Sequence, residues 1–197
     1  IMEILAKLFG SEDKVKVMKL FVLNPDAVTE VKEVSRRCKI SPVSARHELA
    51  GLRSIGFIVP KKGEKKEKGR RTVSGWQLNP IFPFLGHLRG LLKTELVTRK
   101  LELTDRFSAA GKIKLLLIAG IFIQDNDSRA DLVLVGDRLK RNSIERAIKS
   151  MEAEIGRELN YAIFETADFL YRMRAYDKFI RDLLDYPHEK IINRLGI

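Results

Sequence analysis

A short basic segment between two strand-like stretches limits most narrowly what this chain can fold into. Residues 61–71 contain seven Lys and Arg, two Glu and two Gly, and no apolar side chain. Such a segment has nothing to bury, and its glycines are typical of an exposed turn. The stretches on either side, Phe57–Val59 and Thr72–Leu78, have the apolar and β-branched character of strands. The sequence therefore predicts a hairpin with a basic tip.

Three short helices are predicted before this hairpin. Ser11 is expected to cap the first, which ends at Asn24-Pro25. Thr29 is expected to cap the second. Ser41-Pro42 gives the third an N-cap followed by proline at the first helical position, and Gly56 suits the left-handed residue that ends it. The residues expected to face the core across the three helices are Val15, Met18, Leu20, Phe21, Val22, Val31, Val34, Cys38, Ala45, Leu49 and Leu52.

The excess positive charge lies almost entirely in the first half of the chain. The net charge is +11, and residues 1–90 carry 18 Lys and Arg against 9 Asp and Glu, whereas residues 111–197 carry 15 against 14. A charge confined to one part of a chain indicates a polyanion-binding surface there. No basic amphipathic helix with large apolar anchors accompanies it, which disfavours a membrane surface.

Three helices followed by a strand, a basic loop and a strand are the element order of a winged helix-turn-helix. Ser41–Ile58 resembles the recognition helix and first wing strand of bacterial and archaeal winged-helix transcriptional regulators, through its small residues, its leucines and Gly56-Phe57-Ile58. The resemblance implies double-stranded DNA as the partner. RNA is a less favoured partner, because no paired aromatic stacking residues are present.

Two groups of side chains are predicted to contact the DNA. With the apolar side of the third helix facing the core, the 100° helical step directs Val43, Ser44 and His47 to the opposite side. Arg46 is expected on the flank, within reach of a guanine edge or a phosphate. Cations before the turn and in the hairpin are expected to meet phosphates or the minor groove. The complete predicted set is Arg36, Arg37, Lys39, Val43, Ser44, Arg46, His47, Lys61, Lys62, Lys65, Lys66, Lys68, Arg70 and Arg71.

The predicted fold class is a two-domain mixture of α+β and α/β structure. The winged helix is expected over residues 1–80, a helical linker over 81–110 and an α/β domain over 111–197. In the linker, an apolar helix begins near Phe82 and a second runs from about Thr94 to Ala109; the pair bridges the two halves or meets its copy in another subunit. Strands alternating with helices mark the α/β domain. The predicted elements are strands Ile113–Ala119, Leu132–Val135 and Tyr161–Phe164, and helices Ser143–Leu159, Ala167–Met173 and Lys178–Leu184.

Residues 113–197 resemble the minimal nucleotidyltransferases of the DNA polymerase β superfamily. The resemblance rests mainly on Ser128-Arg129-Ala130-Asp131, at the start of a strand where members of that family carry Ser-Asp-x-Asp. It implies that these residues form a nucleotidyltransferase-like domain. In active members of that family, the aspartates of the motif hold two divalent metals on a nucleoside triphosphate.

The chain departs from the family pattern at the positions that bind the metals and the phosphates. Arg129 replaces the first metal-binding aspartate, Ile121 replaces the serine of a Gly-Ser pair, and the later strand offers no third carboxylate. Asp125 and Asp127, in the preceding loop, are the other candidate carboxylates. A single carboxylate ligand cannot bind two magnesium ions in competition with water, which is itself a strong ligand for magnesium. The sequence therefore predicts an inactive domain with no metal and no cofactor, in which a vestigial Asp131 serves structurally by capping or by pairing with Arg129.

The leading interpretation is a sequence-specific transcriptional regulator, a homodimer reading paired half-sites. Its second domain would dimerise, bind a partner or sense an unidentified small-molecule or protein effector. The alternatives are a divergent metal-dependent nucleotidyltransferase that modifies a protein or RNA, and a scaffold whose winged helix contacts protein. Neither a signal peptide nor a membrane-spanning stretch is recognised, which predicts a cytoplasmic protein, and Met2 is a more natural start than Ile1. The single cysteine, Cys38, excludes an internal disulfide and is interpreted as a small apolar residue.

Overall fold

A computed structural model describes residues 2–62, 74–98, 100–123, 125 and 127–197. It has a mixed α+β structure that separates into two compact units. The first unit consists of Ile1–Glu95 and Met151–Arg157, and the second of Leu96–Ser150 and Glu158–Ile197. Among the described residues, no helix combines the length and the apolar character needed to pass through a bilayer.

The first unit opens with helices α1 (Met2–Phe9), α2 (Glu12–Leu23), α3 (Val31–Cys38) and α4 (Pro42–Ser54). The Ser11 Oγ accepts a hydrogen bond of 3.0 Å from the Lys14 N–H, and the Ser41 Oγ accepts one of 3.0 Å from the Ser44 N–H. The predicted caps of α2 and α4 are therefore confirmed. α1 is an addition to the predicted elements.

The predicted cap of α3 is wrong. Glu30 holds the N-cap position, and its side chain makes no capping hydrogen bond within the described part of the chain. Thr29 instead exchanges two backbone hydrogen bonds of 2.9 Å with Trp76. A β-branched residue favours this extended pairing. Gly75 permits it, because a Cβ at that position would lie 2.9 Å from the Thr29 carbonyl oxygen.

The predicted hairpin strands are present as β1 (Ile58–Lys62) and β2 (Ser74–Leu78), which pair antiparallel. Gly56, with φ +77°, ends α4 as predicted, and the next N–H, that of Phe57, donates to the Leu52 carbonyl at 3.0 Å. Residues 63–73, which hold the predicted turn and the start of the predicted return strand, lie outside the described residues.

The predicted linker is helical, but its helices begin and end elsewhere. α5 (Leu85–Thr98) starts after Pro83 rather than at Phe82, in keeping with the poor fit of proline inside a helix. Thr94, the predicted start of the second helix, lies within α5, and α6 (Lys100–Arg106) follows. Residues of the linker segment also pack into the core of the first unit, where Leu85 and Leu92 are buried.

The core of the first unit uses the predicted inward faces of α2, α3 and α4. Val31 is partly buried, and the other predicted inward residues are almost completely buried. Phe57 and Ile58 of the β1 region and Leu78 of β2 complete this core. The hairpin is therefore fixed to the helices by apolar contacts at its base.

The second unit is built on a sheet in the order β5-β4-β3-β6, from β3 (Lys112–Ile118), β4 (Leu132–Asp137), β5 (Tyr161–Glu165) and β6 (Glu189–Asn193). β3 is antiparallel to both of its neighbours, whereas β4 and β5 are parallel. α7 (Arg141–Ile155) supplies the crossover that a parallel pair requires. α8 (Thr166–Arg174) and α9 (Lys178–Asp185) cover one face through Phe169, Ile180 and Leu183. The predicted strands and helices are confirmed to within a few residues, and β6 is an addition.

Candidate nucleic-acid interface

The outer stripe of α4 consists of Val43, Arg46, His47 and Ala50; Arg46 and His47 lie three or four residues from both Val43 and Ala50, as on one side of a helix. All four are exposed, Val43 to 72%. The opposite side of the helix is closed by buried Ala45, Leu49 and Leu52. The structure thus leaves Val43 and His47 exposed on the side away from the core, as the sequence predicts, and Arg46, predicted on the flank, is exposed as well.

Ser44 does not belong to this stripe. It is half-buried, and its hydroxyl donates a hydrogen bond to the Asp13 carboxylate at the start of α2. The prediction that Ser44 faces away from the core is therefore wrong. The physical reason is that the Asp13 carboxylate, on the neighbouring helix α2, packs against this side of α4 and accepts the hydrogen bond of Ser44.

Glu48 makes a second polar link between α4 and the start of α2. Its side chain is buried, the Ser11 hydroxyl donates to its Oε1 at 2.6 Å, and the Lys14 Nζ lies 3.8 Å from its Oε2. Ser11 therefore caps α2 and fixes α4 with the same hydroxyl. A buried carboxylate needs such partners, because an unpaired one is costly to desolvate. The burial of Glu48 was not predicted from the sequence. The one sequence signal for it is its place next to Leu49, a residue predicted to face the core.

The three cations predicted before α4 lie in different environments. Arg36 is exposed but forms a double hydrogen bond with Glu33, at 2.6 and 3.0 Å, which lowers the pKa of that carboxyl. Arg37 is partly buried and donates to the Gly156 carbonyl at 3.1 Å, within the first unit. This hydrogen bond is one that the sequence did not predict, and the phosphate contact of Arg37 stays a prediction. Lys39, the left-handed residue after α3, is exposed as predicted.

A groove of about 410 Å³ lies beside the outer stripe, and sequence reasoning did not anticipate it. The Arg53 guanidinium lies 5.5 Å from the centre of the Trp76 ring and forms one wall. Val31 and Leu49 line its apolar floor, and Arg46 lies at its edge. Trp76 on β2 thus packs against the core of the first unit, and it also holds a second arginine of α4 beside the stripe.

Two of the seven predicted hairpin cations, Lys61 and Lys62, lie among the described residues. Lys61 is exposed at the end of β1, and Lys62 pairs with Ser74 across the two strands. The remaining members of the predicted basic set lie outside the described residues; they are Lys65, Lys66, Lys68, Arg70 and Arg71.

Cys38 is completely buried in the core of the first unit. Burial raises the pKa of its thiol to about 12, chiefly because the thiolate would lose its hydration. The interpretation of Cys38 as a small apolar residue is confirmed.

We expect the Cys38 thiol of the folded protein to resist iodoacetamide at pH 8, where it is both buried and protonated. In denaturant the same thiol should be alkylated within minutes, which mass spectrometry would detect as one added carbamidomethyl group. The raised pKa also implies that Cys38 stabilises the folded state fully below pH 9 and progressively less as the pH rises towards 12. Rapid modification of the folded protein would contradict this assignment.

In the second unit, Asp131 is a buried carboxylate occupied by backbone donors. Its Oδ1 accepts a hydrogen bond from the Ile121 N–H and its Oδ2 one from the Asn160 N–H, both at 2.9 Å. Gly120, with φ +54°, lies directly against it, since a Cβ there would be 2.2 Å from the Asp131 Oδ1. The predicted structural capping by Asp131 is confirmed.

The predicted pairing of Asp131 with Arg129 is not present. The Arg129 Nε lies 3.3 Å from the Asp182 Oδ2 on α9. The loop carboxylate Asp125 accepts hydrogen bonds from the Asp127 N–H and the Ser128 hydroxyl, which lower its pKa. Within the described residues, no three His, Cys, Asp or Glu side chains come together in a way that could hold a metal ion.

Comparisons with protein-family models, with curated proteins and with solved structures gave no match for this chain.

Proposed function

We propose that this chain is a DNA-binding transcriptional regulator. The first unit acts as a winged helix-turn-helix, with α4 as the recognition helix in the major groove and the β1–β2 hairpin as the wing. The observation that carries the proposal is the outer stripe of α4, whose exposed side chains include Arg46 and His47. These residues can donate hydrogen bonds to base edges, and the helix that bears them is held at Ser44 and Glu48.

The charge around the stripe supports a nucleic-acid partner. Lys39, Arg53 and Lys61 are exposed in the same unit, and the segment after Lys62 adds further cations. Cations beside a groove-reading helix contact phosphates and fix its register on the duplex, without themselves selecting a sequence. In the proposed complex, Arg53 meets the backbone while its guanidinium rests on Trp76.

The second unit is proposed to be a nucleotidyltransferase-like domain without transferase activity, in a cytoplasmic homodimer. The occupied carboxylate of Asp131 and the Arg129–Asp182 ion pair support this part of the proposal. Both oxygens of Asp131 accept backbone N–H groups, and among the described residues no three His, Cys, Asp or Glu side chains gather to complete a metal site. The unit then serves dimerisation, or it binds a partner or an effector. A homodimer would read a two-fold related pair of half-sites.

Substituting Arg46→Ala should weaken binding to a selected DNA site by about 10- to 100-fold, because one guanine-reading side chain is lost. Binding to random duplex should fall only slightly. Mobility-shift titrations at several salt concentrations would measure both affinities.

The matched control is Arg174→Ala, which removes the same charge from an exposed position in α8 of the second unit. Its affinity should stay within about twofold of wild type, since Arg174 does not belong to the proposed interface and an exposed charge outside the contact is largely screened. Equal losses for the two variants, or no DNA binding by the wild-type protein at physiological salt, would rule out the proposed role of α4.

A further inference from the structure

Val43 is an apolar side chain that the fold itself does not use. In α4, all of which is described, it is the one large apolar residue left exposed, at 72%. Its branched side chain also makes it a weaker helix former than alanine. Val43 therefore adds nothing to the stability of the first unit, and its two methyl groups are available to a partner.

The neighbours of Val43 define what that partner presents. Arg46 and His47 lie three and four residues further along the outer stripe and offer hydrogen-bond donors. A partner that contacts all three presents acceptors next to an apolar group. In the major groove of DNA, thymine alone of the four bases offers a methyl group, whereas the purines offer acceptors.

An apolar side chain placed against any other base edge would strip water from donors or acceptors without replacing their hydrogen bonds. From this, and resting on the proposed function, we infer that Val43 selects thymine through its 5-methyl group. Arg46 then reads a guanine close by. The rise of a helix over three residues is about 4.5 Å, against about 3.4 Å per base step, so the two bases lie one or two steps apart.

The inference is tested on the best site obtained by selecting bound duplexes from a random pool. Each thymine in that site is replaced in turn by deoxyuridine, which lacks only the methyl group. Replacement of the contacted thymine in either half-site should weaken binding of the wild-type protein by about fourfold, the value of one buried methyl. Val43→Ala should bind the unmodified site more weakly and should be insensitive to deoxyuridine at that same position.

Ile55→Ala is the matched control, because Ile55 is a similarly exposed apolar residue, at 61%, but follows the end of α4. This variant should keep the wild-type sensitivity to deoxyuridine. Wild-type binding that is indifferent to every replacement would overturn the thymine inference while leaving the regulator proposal intact. Sensitivity that persists in Val43→Ala would reassign the contact to another residue. Failure to select any duplex would instead count against the proposed function.

Discussion

Replacing the five cations Lys65, Lys66, Lys68, Arg70 and Arg71 by alanine should nearly abolish DNA binding at moderate salt. Each cation that neutralises a phosphate contributes about 0.9 to the slope of log affinity against log salt. If all five do so, the slope falls by about 4.5 and the affinity at 0.1 M salt falls by roughly 10⁴-fold. The salt dependence is the sharper readout, because it counts ionic contacts and is unaffected by a change in base preference.

The control for this variant removes the same number of cations from exposed positions of the second unit. Its members are Lys140, Arg141, Arg146, Lys149 and Lys178. This protein has the same net charge as the first variant, so a general loss of attraction would affect both equally. We expect the control to keep most of the wild-type slope. Equal slopes of log affinity against log salt for the wild type and for the variant that lacks the five hairpin cations would show that these cations do not contact phosphates.

Substituting Gly120→Ala should destabilise the second unit by about 3–5 kcal/mol. The new Cβ would lie 2.2 Å from the Asp131 Oδ1, and a residue other than glycine at φ +54° adds backbone strain. Asp131 cannot move aside without giving up its hydrogen bonds to Ile121 and Asn160. Urea unfolding followed by circular dichroism would measure the loss, and hydrogen exchange in β3 and β4 would locate it.

Gly90→Ala provides the opposite case. Gly90 lies inside α5, and a Cβ there would meet no atom within 4 Å among the described residues. This variant should therefore be more stable than wild type, by about 0.5–1 kcal/mol, since alanine is the better helix former. A Gly120→Ala protein as stable as wild type would show that the hydrogen-bonded carboxylate of Asp131 does not restrict position 120 to glycine.

Elements with a strong local signal could be predicted from the sequence. Ser11 and Ser41 each combine a capping hydroxyl with a helical apolar period, and both caps are present. The left-handed Gly56 and the strands that follow it have equally local causes. The outward direction of Arg46 and His47 then follows from helical geometry once the buried side of α4 is known.

Three residues whose surroundings the sequence did not predict share a different cause, which is a partner distant in sequence. Thr29 forms a bridge to Trp76 rather than a cap, and Ser44 is turned inward by Asp13. Arg37 is held by the carbonyl of Gly156, 119 positions away. Such a partner is brought close only by the fold, so the residues adjacent in sequence do not reveal it. A group that has no partner nearby in the sequence is therefore hydrogen-bonded in the structure.

The division of α4 into an inner and an outer side has a consequence for how this protein can change. Its position is set by buried Ala45, Leu49 and Leu52 and by the links at Ser44 and Glu48. The outer stripe contributes little to that anchoring, so its residues can be exchanged at small thermodynamic cost. Under the proposed function, a lineage of such proteins could therefore acquire new DNA targets by altering three or four codons while the buried side of α4 stays constant. The same property makes α4 a practical site for laboratory redesign.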